Sequence, residues 1–142
     1  MNRNEIMTMT ADELRLAIAL AKGWKLYRFD YFGETDTQGI FAPDYKPSKY
    51  KTQIDFSEFL PRKYINPDGM PDWTTSIADA WELMEEMSAL DYPIPGICRM
   101  DENDNWNCYY RFAGDQGIEI VEADTAPLAI SRAWLLWKTE AE

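Results

Sequence analysis

Three segments of the chain repeat apolar residues at helical spacing, which predicts helices at about residues 10–22, 75–90 and 125–138. In each segment a hydroxyl or carboxylate side chain can cap the first turn: Thr10, Thr75 or Ser76, and Asp124 or Thr125. Glu13 completes a T-x-x-E capping box with Thr10. Gly23 then ends the first helix, because glycine adopts the left-handed conformation at little cost.

The second predicted helix has one broad apolar face and one acidic side. The apolar positions, which the spacing predicts to be buried together, are Ile77, Ala80, Trp81, Met84, Met87 and Leu90. The acidic positions, left for solvent or for a partner, are Asp79, Glu82, Glu85 and Glu86. The third helix repeats the spacing at Leu128, Ala129, Arg132, Leu135 and Leu136.

Alternating residues predict strands between the helices, at Trp24–Phe32, Ile97–Asp101, Trp106–Phe112 and Ile118–Val121. Together with the helices they indicate an α+β fold with a mainly antiparallel sheet. If the second and third strands form a hairpin with Met100 opposite Trp106, then Cys98 falls opposite Cys108 and both sulfurs lie on the core face. In that register Arg99 lies opposite Asn107.

Three stretches resemble the phage ABA sandwich domain family, and they occur in its order. LRLAIALAKGW at Leu14–Trp24 is similar to its helix-Gly-Trp opening. Trp73–Met87, which includes I-A-D-A-W-E at Ile77–Glu82, is similar to its S-x-I-A-x-A-W-E central helix. Ala123–Trp137 is similar to its closing T-A-P-L-A-I-x-R-A helix. The resemblance implies an α-β-α sandwich, encoded by a phage or prophage, with no established enzymatic activity. It does not extend to the long stretch at residues 33–72.

Length and composition predict a single domain over residues 1–142, with a proline-rich, aromatic and basic insert at about residues 33–72. The sequence has no apolar run long enough to span a bilayer and no signal peptide, so we expect a protein of the bacterial host cytoplasm without a membrane partner. Residues 1–70 hold ten basic and ten acidic residues, whereas residues 71–142 hold four and fifteen and carry the whole net charge of −11. That field disfavours long nucleic acid as a partner.

The chain has no histidine, which removes the commonest general base and metal ligand. We therefore expect no enzyme, no metal and no cofactor. Asp101–Asn105 imitates the opening of a calcium loop, but Trp106 and Phe112 stand where glycine and glutamate are needed, so a polar turn is the better interpretation. The two cysteines are interpreted as reduced, small core residues.

A candidate ligand site combines cations and aromatic rings, which suits a nucleotide because bases stack on rings and phosphates pair with cations. The insert supplies Tyr45, Lys49, Tyr50, Lys51 and Arg62, and the hairpin supplies Arg99, Tyr109 and Arg111. On the predicted register, Arg99, Asn107, Tyr109 and Arg111 share one face. The alternative is a loop held down by its aromatic residues, with its lysines in solvent, and a hairpin face lying under a helix.

Two functional hypotheses follow, and they make opposite demands. The leading one is a phage-encoded, non-enzymatic protein that counteracts a host defence by sequestering a small nucleotide signal. The other is an acidic inhibitor or nucleic-acid mimic that occupies a host protein through Glu82, Glu85 and Glu86. A phage accessory protein without a defence role is the third interpretation, and the aromatic content is compatible with a homo-oligomer.

Overall fold

The computed structural model describes residues 2–29, 38–46, 51–54, 64–65, 70–88, 96–99, 105–111 and 118–140. The helices in these ranges are α1 (Arg3–Thr8), α2 (Ala11–Ala21), α3 (Ile77–Ser88) and α4 (Ala126–Glu140). The strands are β1 (Lys25–Phe29), β2 (Gln38–Phe41), β3 (Lys51–Ile54), β4 (Tyr64–Ile65), β5 (Gly96–Arg99), β6 (Trp106–Arg111) and β7 (Ile118–Ala123). The predicted α+β class, its mainly antiparallel pairing and the three predicted helices are confirmed.

The chain divides into two compact units, each of which is described by itself. One unit comprises Met1–Ile18 and Pro71–Glu142, and the other comprises Ala19–Met70. The insert predicted at residues 33–72 falls almost wholly in the second unit. The organisation of residues 1–142 as a single domain stays a prediction.

Helix α4 is the centre of the first unit. It packs on the antiparallel sheet β5-β6-β7 and also contacts α1 and α3. Neighbours on so many sides bury side chains around most of its circumference: Ala129, Ile130, Ser131, Ala133, Trp134, Leu135 and Leu136. The cap of α4 is the predicted one, because the Thr125 hydroxyl accepts a hydrogen bond from the Leu128 N–H at 3.3 Å.

Helix α3 covers less of the core. The Ser76 hydroxyl caps it by accepting from the Asp79 N–H at 3.3 Å, and the Asp79 carboxylate accepts from the Asp72 N–H at 2.7 Å. These bonds fix the turn that leads into the helix. Its buried side chains are Ala80, Leu83, Met84 and Met87, which form a single face towards α4 and the sheet.

The outer edge of β7 is covered by two arginines from different helices. Arg3 donates to the Ile120 carbonyl oxygen at 3.3 Å, and Arg132 donates to the Glu122 carbonyl oxygen at 3.0 Å. An edge strand presents such carbonyls to any other strand, so the guanidinium groups protect this edge from further pairing.

The second unit contains a four-stranded sheet in the order β3-β1-β2-β4, in which only the β2–β4 pair is parallel among the described strands. Leu26 and Tyr27, which are consecutive in β1, are both buried, so both faces of this strand are covered. Strands β2, β3 and β4 lie inside the insert, where the residue pattern predicts no regular element. The cause is length, since strands of two to four residues show almost no alternation.

The N-terminal helices show what local signals can and cannot predict. The Thr10–Glu13 capping box is present, with the Glu13 N–H donating to the Thr10 hydroxyl at 3.2 Å and the Thr10 N–H donating to the Glu13 carboxylate at 3.3 Å. Gly23 has a φ of +95°, confirming its role as the helix stop. Helix α1 is an addition to the predicted elements and carries its own capping box between Asn2 and Glu5.

Candidate functional site

The residues predicted to form a nucleotide site are distributed over both units. Tyr45 and the backbone of Lys51 lie in the second unit, while Arg99, Tyr109 and the backbone of Arg111 lie in the first. Lys49, Tyr50 and Arg62, like the turn at residues 101–104, fall outside the described residues, as do the side chains of Lys51 and Arg111. The site that combines all eight residues therefore stays a prediction.

Tyr45 belongs to a cluster of three aromatic rings. It stacks on Phe41 with ring centroids 4.3 Å apart and 16° between planes, and it meets the buried Tyr27 edge-on at 5.8 Å. Tyr27 also meets Phe41 edge-on at 5.6 Å. These rings stabilise one another. The exposed Lys46 follows Tyr45 directly, so a cation lies next to the stacked pair in the sequence.

The predicted hairpin register is wrong by one residue. Arg99 pairs with Trp106, and Cys98 pairs with Asn107. Because neighbouring side chains of a strand point to opposite faces, the shift places Arg99 on the face opposite to Tyr109. Arg99 and Tyr109 therefore do not share the predicted binding face. The residues between the two strands do not distinguish, in the sequence, between registers that differ by one residue.

The same shift separates the two cysteines. Cys108 lies opposite Ile97 on the core face, whereas Cys98 is exposed, so the interpretation of Cys98 as a core residue is wrong. The Cys108 sulfur contacts the Met84 sulfur of α3 at 3.8 Å. Burial, with a smaller contribution from the nearby Cys98 thiol, raises the pKa of Cys108 from 9.0 to about 12. Cys108 is thus an inert core thiol.

Tyr109 lies over a glycine on the outer face of the sheet. A β-carbon at Gly96, its cross-strand partner, would overlap the tyrosine ring. The ring covers the backbone at a position where β5 has no side chain of its own. Tyr109 and Ile120, which are also partners across the strands, are both exposed on this face.

Helix α3 exposes large apolar side chains at the edge of its buried face. Ile77 is 51% exposed and Trp81 is 48% exposed, so the prediction that they join the buried stripe is wrong. Leu83 is buried instead. The face that α3 packs against α4 is narrower than the sector of the helix that the six predicted positions cover. Leu90 lies outside the described residues. An exposed tryptophan one turn from an exposed isoleucine forms an apolar patch.

The acidic residues of α3 divide into two pairs. Asp79 accepts from the Asp72 backbone, and Glu86 accepts a hydrogen bond from the Trp134 indole N–H at 2.9 Å. These two carboxylates therefore belong to the fold. Glu82 and Glu85 are exposed, and within the described ranges their carboxylates make no hydrogen bond or ion pair. Of the predicted acidic surface, only this second pair remains available to a partner.

We call the exposed surface formed by Ile77, Ala78, Trp81, Glu82 and Glu85 the α3 face. At 100° per residue these five positions lie within one continuous sector of the helix. Ile77, Trp81 and Glu85 follow one another at four-residue spacing, and Glu82 lies one turn beyond Ala78. The sequence signal for the acidic part of this surface is the group of glutamates that follows Trp81, at positions 82, 85 and 86.

Three further observations concern metal binding, membrane spans and the environment of Arg132. Among the described residues, no three acidic, cysteine or histidine side chains come together in a way that could hold a metal ion. Within the same ranges, no helix is both long enough and apolar enough to cross a membrane. Burial lowers the pKa of Arg132, and Asp124 opposes that shift. The Arg132 Nε atom is buried and has no hydrogen-bond partner among the described residues.

Comparisons with protein-family models, with curated proteins and with solved structures found no match to this chain. Among the described residues, the α3 face combines two exposed large apolar side chains, Ile77 and Trp81, with two exposed glutamates, Glu82 and Glu85.

Proposed function

We propose that this chain is a non-enzymatic binding protein that counteracts a host defence by occupying a host protein through the α3 face. The observation that carries the proposal is the exposure of Ile77 and Trp81, at 51% and 48%, on one side of a helix whose other side belongs to the core. Tryptophan is among the residues that dominate binding energy at protein interfaces, where it buries a large area in a partner's pocket.

The core side of α3 holds this surface in place. Ala80, Leu83 and Met84 are buried against the rest of the first unit, and the cap at Ser76 fixes the start of the helix. Ile77 and Trp81 are therefore presented by a packed element. A partner meets a preorganised surface, which lowers the entropy cost of association.

The setting in phage infection is supported by the motifs of α2, α3 and α4. The absence of histidine from the sequence supports a non-enzymatic role, because histidine is the commonest general base. The motifs resemble those of small phage proteins without established catalysis. A protein of this kind acts by stoichiometric binding, and an exposed apolar patch is a surface to which another protein can bind.

The test compares a variant of the patch with a matched variant elsewhere. Ile77→Ala/Trp81→Ala removes the apolar part of the α3 face, and Ile120→Ala removes an equally exposed isoleucine, 56% exposed, from the sheet. A host protein should be captured by the wild type and by Ile120→Ala but lost by the double variant. The purified wild type should then inhibit that host protein at a one-to-one ratio.

Either of two results would contradict this function. One is equal capture by the wild type and by the Ile77→Ala/Trp81→Ala variant. The other is capture of a host protein whose activity does not change in the presence of an excess of the wild type.

Nucleotide sequestration is a second candidate, supported by the stacked rings of Phe41 and Tyr45 beside the exposed Lys46. The outer ring of such a pair offers a surface on which a base can stack. Calorimetry with mono-, cyclic and ADP-ribose-type nucleotides should give saturable binding that is weakened by Tyr45→Ala or by neutralising Lys49, Lys51 and Arg62. No heat signal across that panel would rule this candidate out.

A further inference from the structure

We infer that the α3 face binds a basic protein segment, which places an apolar side chain against Ile77 and Trp81 and lysine or arginine side chains against Glu82 and Glu85. This inference rests on the proposed function and specifies the chemistry of the partner. Three observations support it. They are the order of apolar and acidic residues along α3, the exposed carboxylates of Glu82 and Glu85, and the net negative charge of residues 71–142.

The α3 face is apolar at its N-terminal end and acidic at its C-terminal end. Ile77 and Glu85 are eight residues apart, which corresponds to about 12 Å along a helix. Trp81 lies between them, one turn from each. A partner that fits this surface therefore needs its apolar contact and its cations in a fixed order, separated by one to two helical turns.

The two exposed glutamates are placed where they weaken the free helix. Glu82 lies three residues from Glu85 and four from Glu86, so like charges are neighbours on the helix surface. The last turn of α3 has no basic residue to balance the negative end of the helix dipole. Cations from a partner would relieve both repulsions, and the gain on binding would be larger than for isolated surface carboxylates.

The contrast with the other acidic residues of α3 supports a role in binding. Asp79 and Glu86 are engaged by Asp72 and Trp134, whereas the carboxylates of Glu82 and Glu85 make no bond within the described residues. Both lie beside the exposed Trp81. An acidic rim around an apolar anchor is the arrangement that pairs with a basic rim around an apolar pocket.

The charge of the chain favours a basic partner and disfavours other polymers. Residues 71–142 carry a net charge of −11, which repels nucleic acid and anionic membranes. The same field attracts a positively charged protein surface and speeds its association, most strongly at low salt.

The experiment uses the full chain and two synthetic helical peptides as probes, one built from leucine and lysine and the other, of equal length, from leucine and glutamate. Fluorescence anisotropy measures their affinity for the wild type and for three double variants. Glu82→Lys/Glu85→Lys reverses the acidic end, and Ile77→Ala/Trp81→Ala removes the apolar end. Asp44→Lys/Glu122→Lys is the control, because it changes the net charge equally at exposed positions that do not belong to the α3 face.

We expect the wild type to bind the leucine-lysine peptide at least about tenfold more tightly than the leucine-glutamate peptide. Reversal at Glu82 and Glu85 should weaken the leucine-lysine complex by about tenfold or more and should strengthen the leucine-glutamate complex. Loss of Ile77 and Trp81 should weaken both complexes. The control should change each affinity by less than about threefold, since it lacks the local contact. Circular dichroism confirms that all four proteins keep the same helix content.

Three results would overturn the inference: no binding of the leucine-lysine peptide to the wild type, no effect of reversal at Glu82 and Glu85, or an equal effect of reversal and control. A failure of this inference can be distinguished from a failure of the proposed function. If Ile77→Ala/Trp81→Ala abolishes host-protein capture while Glu82→Lys/Glu85→Lys leaves it intact, the function stands and the basic partner is wrong. If Ile77→Ala/Trp81→Ala changes nothing, the α3 face is not the binding surface.

Discussion

Two tryptophans in similar sequence settings have opposite positions in this molecule. Trp81 follows Ala80 in α3, and Trp134 follows Ala133 in α4. Trp134 is 0% exposed and donates its indole N–H to Glu86, whereas Trp81 is 48% exposed. The local sequence does not distinguish them. What distinguishes them is the number of elements that surround each helix.

Helix α4 contacts α1, α3 and every strand of its sheet, so each of its sides needs apolar residues. Helix α3 packs chiefly on α4, and a helix with one neighbour buries only one side. An additional large apolar residue on such a helix then remains on the surface. Trp134 therefore belongs to the core, whereas Trp81 presents half of its surface to solvent, where a partner can reach it.

The largest expected difference between the two helices concerns the loss of stability when each tryptophan is replaced by alanine. Trp134→Ala should lower the free energy of unfolding by about 3–5 kcal/mol, because it leaves a large cavity beside Trp137. Trp81→Ala should change it by no more than about 1 kcal/mol, since half of that side chain is already in solvent. Urea unfolding followed by circular dichroism measures both.

Similar losses from the two substitutions would show that Trp81 is part of the core in solution. Trp134→Phe keeps most of the apolar volume and serves as the control. It should lose much less stability than Trp134→Ala, because the cavity is then small.

The second prediction concerns Cys108, which lies beneath the buried side of α3. Its pKa is about 12 in the folded chain and 9.0 without burial, so above pH 9 the unfolded state releases a proton that the folded state keeps. The raised pKa therefore costs nothing below pH 9, and stability falls as pH rises from 9 towards 12. The slope contributed by this thiol is at most about 1.4 kcal/mol per pH unit.

Urea unfolding between pH 8 and pH 11, in steps of about one pH unit, measures how Cys108 changes the pH dependence of stability. Cys108→Ala should be less stable than the wild type near neutral pH but should show a shallower alkaline decline. Cys98→Ala, at an exposed position, should keep the wild-type slope. Identical slopes in all three proteins would refute burial of an intact thiol.

Several features of the fold were predictable because they depend on neighbours in sequence. The Thr10–Glu13 capping box, the stop at Gly23 and the cap at Thr125 each involve residues within about one helical turn. In these cases a side chain and the backbone group it satisfies lie close together along the chain. Such signals are complete in the sequence itself.

The remaining features depend on residues that are distant in sequence. The hairpin register differs from the predicted one by a single residue. Arg99 and Cys98 each lie on the face of the sheet opposite to the one predicted for them. The exposure of Trp81 depends on the position of α4. The acidic part of the candidate surface was predictable from composition, but the engagement of Glu86 by Trp134 required the packing of two helices.

A third prediction compares two serines on these helices. Ser131 of α4 is buried and donates to the Trp73 carbonyl oxygen at 2.8 Å, whereas Ser88 of α3 donates to the Glu85 carbonyl oxygen at 3.0 Å in an exposed position. Ser131→Ala should cost about 2 kcal/mol, because the buried carbonyl loses this donor. Ser88→Ala should cost less than about 0.5 kcal/mol, since water replaces the hydroxyl. Thermal unfolding separates the two, and a larger loss at Ser88 would contradict the assignment of α4 as the core helix.

The smallest expected change in stability concerns two adjacent glutamates of α3, Glu85 and Glu86. Glu86→Ala removes the acceptor of the Trp134 indole N–H and should lower the free energy of unfolding by about 1 kcal/mol. Glu85→Ala removes a carboxylate that has no bond within the described residues and repels Glu82, so stability should stay constant or rise by about 0.3 kcal/mol. Binding to a basic partner should show the reverse order, with Glu85→Ala weakening it more than Glu86→Ala. If one residue dominates both measurements, fold and binding surface are not divided between the two sides of α3.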